Sequence, residues 1–127
     1  MYQDIERIVL TKDQIQEIVA SLGKQITEDY QGKELLVIGV LNGGAFFMTD
    51  LCRAITMPLL LDFVGVSSYG NTTTSGEMTM TKEPSIDPKG KHVLITEDVL
   101  DSGRTLQRLM AYYKELGAAS VKLCVML

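Results

Sequence analysis

The chain has 127 residues, the length of one ordinary domain, since domains cluster at roughly 100 to 150 residues. Hydrophobic residues make up 46% of it and only 3 residues are proline, so it has enough apolar side chains for a core, and disorder of the whole chain is excluded. The formal net charge of −4 excludes a protein that holds polymeric nucleic acid on a basic face. We therefore expect one globular domain over residues 1–127.

The sequence predicts neither a membrane anchor nor a secretion signal. The longest apolar stretch, Leu35 to Leu41, is far shorter than the roughly 18 to 20 residues of a membrane span. The N-terminal residues MYQDIERI are acidic, whereas a signal peptide is basic and then apolar. Cys52 and Cys124 fit no metal or redox spacing, so we expect two reduced thiols in a cytoplasmic protein.

The first part of the chain predicts a helix followed by a strand. Thr11 and Gln14 have the spacing of a capping box, and apolar residues then recur at helical spacing until the helix ends near Gly32. Leu35 to Leu41 is a continuous apolar run, typical of a strand that is covered on both faces. The run stops at Asn42-Gly43-Gly44, which predicts a turn from this strand into a helix.

A second helix and two further strands follow the glycines. One face of this helix consists of Phe47, Leu51, Ala54 and Ile55. Leu59 to Ser67 is typical of a largely buried strand. The segment 67–77 is polar and rich in Gly, Ser and Thr, so we expect a long mobile loop, and such loops are commonly functional. Methionine and threonine then alternate over residues 78–81, which predicts a short edge strand with one apolar side.

The last part of the chain predicts a strand, a helix and a strand. His92 to Glu97 is the strand, and an acidic loop leads from it into the helix. The apolar stripe of this helix consists of Leu106, Leu109, Met110, Tyr113 and Leu116. Gly117 ends the helix in the C-cap role, and Val121 to Leu127 is the last strand. Strands that alternate with helices predict an α/β fold with a doubly wound, mostly parallel sheet flanked by helices.

Two loops of this sheet are the candidate site. In open α/β sheets, ligands bind beyond the carboxyl ends of the strands, where the strand order reverses. We expect the strand Leu35 to Leu41 to lie beside the strand His92 to Glu97. The loop at residues 42–44 then faces the loop at residues 98–105.

The second of these loops combines acidic residues with the features of a phosphate site. A helix start with glycine and hydroxyl side chains favours an anion, so one phosphate fits at residues 102–105. The adjacent carboxylates Glu97 and Asp98 suit a sugar diol with Mg²⁺ held nearby. Together these features indicate a phosphorylated sugar as ligand. The alternative is that Asp101 or Ser102 only caps the helix while Glu97 and Asp98 are solvated acids.

Several other classes of site are excluded. The sequence contains no Walker A motif, no G-x-G-x-x-G, no H-E-x-x-H and no C-x-x-C. The one histidine, His92, has no partners for a catalytic triad, and we expect it to open a strand near the surface.

The segment VLITEDVLDSGRTLQRL closely resembles the phosphoribosyl pyrophosphate signature of type I phosphoribosyltransferases, particularly the hypoxanthine-guanine branch. The resemblance extends over VLNGGAFFMTDLCRAI, DFVGVSSYGNTTTSGE and ASVKLCVML, and so over nearly the whole chain. It implies a purine-salvage enzyme that uses Mg²⁺ to transfer the phosphoribosyl group from phosphoribosyl pyrophosphate to hypoxanthine or guanine. It also implies a homodimer or homotetramer, the common states of this family.

The resemblance implies a role for each candidate residue. Asp101 is the catalytic residue beside the purine, assisting proton removal while the ring nitrogen attacks the ribose C1 carbon. Glu97 and Asp98 face the ribose hydroxyls, directly or through the metal. The remaining assignments are Ser102, Gly103, Arg104 and Thr105 for the 5′-phosphate, Asn42 and Gly43 for pyrophosphate, and Ser68 and Tyr69 for a lid loop.

Two features depart from the family pattern. Family members often carry lysine where this chain has Asn42. They also continue for several dozen residues past the strand that matches Val121 to Leu127, and that segment supplies an aromatic residue and a lysine that recognise the purine. We expect this C-terminal purine-recognition segment to be absent from the 127 residues, which leaves base selection unassigned.

Two hypotheses from other classes stay open at this point. A non-catalytic nucleotide sensor, such as the pyrimidine attenuation proteins of related fold, would keep the phosphoribosyl site without turnover. A phospho-accepting receiver domain would carry its acidic pair after the first strand, where this chain has Asn42-Gly43-Gly44. Turnover with purines, as opposed to binding alone, separates the enzyme from the sensor.

We predict that Asn42→Lys strengthens pyrophosphate binding, because an amide donates hydrogen bonds but brings no positive charge to the ligand. The measurement is a calorimetric titration of both proteins with inorganic pyrophosphate. Equal affinities would contradict the prediction, because they would show that the asparagine does not weaken pyrophosphate binding.

Overall fold

A computed structural model of the chain describes residues 11–41, 44–68, 78–97 and 103–125, which form three helices and five strands. Their bounds are α1 Lys12–Asp29, β1 Leu35–Leu41, α2 Gly44–Ala54, β2 Leu60–Ser68, β3 Met78–Lys82, β4 His92–Glu97, α3 Gly103–Glu115 and β5 Ser120–Val125. The strands form one sheet in the order β3-β2-β1-β4-β5. Strand β3 is antiparallel to β2, and all other neighbours are parallel. The predicted α/β class and the neighbouring positions of β1 and β4 are confirmed.

The sheet is covered on both faces, as a doubly wound fold requires. Leu35 and Val37 of β1 pack into a cluster with residues of α1 and α2. Leu36 and Ile38 point to the other face and pack into a cluster with residues of α3. Because successive side chains of a strand alternate between faces, burial of both faces explains why the β1 sequence is apolar at every position.

The predicted helix ends are confirmed by their hydrogen bonds. The Gln14 backbone N–H donates to the Thr11 hydroxyl at 3.1 Å, and the Thr11 N–H donates to the Gln14 side chain at 2.8 Å, which completes the capping box. After α3, Gly117 has a φ of +94°, and its N–H donates to the Lys114 carbonyl at 3.0 Å. Glycine adopts this left-handed conformation without the steric cost of a side chain, so its C-cap role follows.

One expectation about burial is wrong. The strand predicted at Leu59 to Ser67 is only partly buried, since Leu60 is 38% and Leu61 44% exposed. Strand β3 pairs only with Gly65–Ser68, so the first half of β2 lies at the edge of the sheet. Leu116, the last residue of the predicted apolar stripe, follows the end of α3 at Glu115 and is 39% exposed.

A buried carboxylate holds the segment between β3 and β4 against the sheet. Asp62 of β2 is 5% exposed and accepts backbone N–H bonds from Ser85 at 2.8 Å, Ile86 at 2.9 Å and its neighbour Phe63 at 2.8 Å. The Lys82 ammonium lies 3.8 Å from the same carboxylate. A buried charge is tolerated when it is paired and hydrogen-bonded, and here both conditions are met.

The remaining side chains singled out by the sequence have structural surroundings. Cys52 and Cys124 are free, and burial raises the pKa of Cys52 to about 11 and that of Cys124 above its ordinary value, so both stay protonated at neutral pH. His92 opens β4, as predicted, and its Nδ1 lies 2.7 Å from the Ser120 hydroxyl.

Across the described ranges, no helix has the length and apolar character of a membrane span. The first two residues of the predicted mobile loop, Ser67 and Ser68, instead belong to β2 and pair with Thr79 and Met78 of β3, and the rest of the loop, residues 69–77, lies outside the described residues.

We predict that Gly23→Ala destabilises the protein. A Cβ at Gly23 would lie 2.5 Å from both the Cβ and the carbonyl oxygen of Ala54, so α1 and α2 would have to move apart. Overpacking of this kind typically costs about 1 to 3 kcal/mol. Helix propensity alone predicts the opposite sign, a gain of about 0.5 to 1 kcal/mol. Urea unfolding measures the difference.

The matched control for this substitution is Ser21→Ala, on the exposed side of the same helix. It should change the free energy of unfolding by less than about 0.5 kcal/mol. A Gly23→Ala variant as stable as its parent would contradict the close helix contact.

Candidate functional site

Three connections leave the same edge of the sheet. Strands β1, β2 and β4 are parallel neighbours, so their carboxyl ends lie together. They end at Leu41, Ser68 and Glu97. The chain continues from these ends into residues 42–43, 69–77 and 98–102. All segments with a predicted pyrophosphate, lid or phosphoribosyl role therefore start from one edge, as binding of a single ligand requires.

Two helices begin at this edge. Helix α2 starts at Gly44, shortly after the end of β1, and α3 starts at Gly103, shortly after the end of β4. The free N–H groups of a first helical turn point out of the N-terminal end of the helix, where they favour binding of an anion. Neither first turn contains an acidic residue, so no carboxylate of these turns opposes a phosphate group.

The predicted site residues in the described ranges lie at this edge. Glu97 is the last residue of β4 and half-buried, and Gly103 is the first residue of α3. Arg104 is exposed, whereas Thr105 is only 9% exposed. Ser68 is the last residue of β2. Six predicted site residues lie outside the described ranges and their roles stay predictions, namely Asn42, Gly43, Tyr69, Asp98, Asp101 and Ser102.

Packing of α3 fixes the position of its first turn. Leu106, Leu109 and Tyr113 are buried against the sheet on one face of this helix. The Tyr113 hydroxyl is buried and has no hydrogen-bond partner among the described residues, and burial, with a smaller contribution from the Asp62 charge, raises the pKa of Tyr113 far above its ordinary value. Tyr113 is therefore neutral under all physiological conditions and acts in packing.

The sequence predictions did not single out Thr96, the residue before Glu97. Its side chain is fully buried, and its hydroxyl donates to the Ile38 carbonyl of β1 at 2.9 Å. This bond ties β4 to β1 directly below the candidate site. A hydroxyl residue in the otherwise apolar run of β4, next to an acid, is the signal in the sequence that points to it.

Gly39 of β1 is a second residue that the sequence predictions passed over. A Cβ at this position would lie 2.9 Å from the Met48 side chain of α2 and 3.0 Å from the Phe63 ring of β2. Because glycine has no side chain, Met48 and Phe63 can pack directly against β1. The contact of Met48 holds α2 near the end of that strand. A single glycine inside an apolar strand commonly marks such a close approach.

Comparison with known proteins decides the family. A family model described as the phosphoribosyl transferase domain matches residues 9–127. The chain belongs to the phosphoribosyltransferase family. The resemblance seen in the sequence is thereby confirmed, and it extends over both helix starts at the candidate site.

Individual phosphoribosyltransferases are similar along nearly the whole chain. The bifunctional protein TilS/HprT of Listeria innocua is 44% identical over 128 aligned residues, which cover 100% of this chain and 20% of that protein. The hypoxanthine-guanine phosphoribosyltransferase of Streptococcus pneumoniae is 41% identical, with 98% of this chain and 69% of the relative covered. The chain thus spans about a fifth of the length of the bifunctional relative and about seven-tenths of the second.

Solved structures show the same relationship. A crystal structure of a hypoxanthine phosphoribosyltransferase from Staphylococcus aureus matches with a TM-score of 0.88 at 39% sequence identity. The match covers 98% of this chain and 68% of that one. The five-stranded sheet described above is therefore the fold of the corresponding part of that enzyme.

Proposed function

We propose that the chain carries the phosphoribosyl pyrophosphate site of a purine-salvage enzyme. The reaction transfers the 5-phosphoribosyl group to hypoxanthine or guanine, giving inosine or guanosine monophosphate and pyrophosphate. One observation carries the proposal: the ends of β1, β2 and β4 and the starts of α2 and α3 meet at one edge of the sheet. The relatives from Streptococcus pneumoniae and Staphylococcus aureus are named for this activity, which supports the same conclusion.

The two ends of the ligand are bound at neighbouring strands. The 5′-phosphate lies at the start of α3, where Ser102, Gly103, Arg104 and Thr105 supply backbone N–H groups, hydroxyls and one positive charge. The pyrophosphate lies at Asn42 and Gly43, between β1 and α2. The described starts of α2 and α3 support this assignment, because each presents N–H groups at the edge where the ligand binds.

The acids that follow β4 bind the ribose. Glu97 and Asp98 would accept hydrogen bonds from the two ribose hydroxyls or would hold Mg²⁺ beside these hydroxyls. That donor set fits Mg²⁺, which is commonly held by one or two carboxylates together with substrate phosphates. When bound, the metal neutralises charge on the pyrophosphate leaving group.

Asp101 and the lid act on the transfer step. A purine ring nitrogen forms a bond to the ribose C1 carbon, while the bond from C1 to pyrophosphate breaks and its electron pair leaves with pyrophosphate. Asp101 assists removal of the proton from the ring nitrogen. The oxocarbenium-like transition state needs shielding from water, and Ser68 and Tyr69 belong to the lid loop that provides it.

We further propose that residues 1–127 form a single phosphoribosyltransferase core that associates into a homodimer or homotetramer in the cytoplasm. Strand β5 lies at an edge of the sheet, and an apolar edge strand is commonly covered by association. The free thiols of Cys52 and Cys124 are in keeping with a reducing compartment.

Binding of phosphoribosyl pyrophosphate is the first test. We expect calorimetry to show binding that is stronger with Mg²⁺ and weakened at least about tenfold by Asp98→Ala, which removes a charged hydrogen-bond acceptor. The control is Asp87→Ala, which removes the same charge from an exposed position. Asp87 lies shortly before the start of β4, whereas the candidate site lies beyond the end of that strand. A folded chain that does not bind would show that the motif survives only as a scaffold.

Turnover is the second test. We expect Asp101→Asn to lower kcat with hypoxanthine or guanine by about 10² to 10⁴ while binding of phosphoribosyl pyrophosphate is retained, since the proton acceptor is lost and the ligand contacts stay. Asp13→Asn, on the exposed first turn of α1, is the control. Turnover by the unsubstituted chain would favour the enzyme over the nucleotide sensor.

A further inference from the structure

We propose that Thr96 is a positioning residue that fixes the spacing between the carboxyl ends of β1 and β4, from which the proposed pyrophosphate segment and phosphoribosyl segment continue. Thr96 does not contact phosphoribosyl pyrophosphate in this inference. It acts through the backbone of β1. The inference rests on the proposed function, because it concerns how the two ends of phosphoribosyl pyrophosphate are bound together.

The hydrogen bond of Thr96 lies where the two strands stop pairing. Gly39 and Thr96 are the last residues of β1 and β4 that register with each other. The Thr96 hydroxyl donates across to the Ile38 carbonyl at 2.9 Å, next to this last pair. Strand β4 ends one residue later at Glu97, and β1 ends at Leu41. A side-chain bond therefore adds a lateral tie between the strands just below the two segments.

Core packing alone does not call for a hydroxyl at this position. The Thr96 side chain is 0% exposed, and its neighbours in β4, Leu94 and Ile95, are apolar and buried. Valine has nearly the same shape and an equal preference for strands. A buried hydroxyl costs free energy unless it is hydrogen-bonded, so the value of Thr96 lies in the bond to Ile38.

The chemistry of the ligand makes this spacing matter. Phosphoribosyl pyrophosphate carries a phosphate at C5 and a pyrophosphate at C1, so it contacts both segments at once. Its affinity therefore depends on the spacing between the strand ends from which the two segments start, and a hydrogen bond that holds those strand ends together in the free protein reduces the cost of ordering on binding. Inorganic pyrophosphate and ribose 5-phosphate each contact one segment and do not sense the distance.

The test compares these three ligands in calorimetric titrations of the whole chain. Thr96→Val removes the hydroxyl and keeps the shape, and Thr96→Ser keeps the hydroxyl. We expect Thr96→Val to weaken phosphoribosyl pyrophosphate about three- to tenfold, the range for loss of one hydrogen bond. Affinities for pyrophosphate and ribose 5-phosphate should stay within about twofold. Thr96→Ser should bind phosphoribosyl pyrophosphate with the affinity of the unsubstituted chain.

The matched control is Thr27→Val in α1. Thr27 also donates its hydroxyl to a backbone carbonyl, that of Gly23 at 2.7 Å, but it lies far from the end of β4 in the chain and in another layer. Thr27→Val loses this bond and also the one that the Thr27 hydroxyl accepts from the Thr56 backbone N–H at 3.0 Å, and it should leave all three affinities unchanged. Thr96→Ala is a second variant without the hydroxyl, which keeps the test decisive if Thr96→Val does not fold.

The outcomes separate this inference from the proposed function. Absence of phosphoribosyl pyrophosphate binding by the unsubstituted chain overturns the proposed function and this inference with it. Binding by the unsubstituted chain that Thr96→Val leaves unchanged overturns the inference alone. An equal loss for all three ligands also overturns it, because that result describes general damage to the site and no effect of spacing.

Discussion

Burial of β1 on both faces, with a parallel strand on each side, is the constraint on which the rest of the structure depends. Leu36, Val37 and Ile38 are completely buried, and the strand registers with β2 on one side and β4 on the other. A central parallel strand of this kind requires helices on both faces of the sheet. It also forces three neighbouring strands to end at the same edge. The place of the candidate site follows from the same packing that forms the core.

The candidate site divides into groups that contact a ligand and groups that hold them. In the proposed function, the first belong to the short segments that follow the strands in the chain. The second lie in the strands themselves, where Gly39 makes room for Met48 and Thr96 binds the backbone of β1. Side chains in the sheet have few alternative positions, because interiors are closely packed. In the proposed function, these closely packed strands set the positions from which the segments that bind phosphoribosyl pyrophosphate start.

Local patterns in the sequence predicted the elements well because each has a local physical cause. The capping box at Thr11, the C-cap at Gly117 and the apolar run of β1 were all recognisable from neighbouring residues. The exposure of Leu60 and Leu61 was not, since it depends on where β3 pairs with β2. The hydrogen bond of Thr96 could not be predicted for the same reason, because its partner Ile38 is 58 residues away in the chain.

The sequence by itself determined the fold class, the order of the elements, the family and the residue types available for phosphate, sugar and proton chemistry. Each of these is set by periodicity, by capping residues or by motifs of contiguous residues. Only the tertiary structure decided where β3 pairs with β2, how deeply each side chain is buried and which backbone atoms the hydroxyl of Thr96 and the carboxylate of Asp62 bind. Those properties arise from contacts between distant parts of the chain, and no local pattern encodes them.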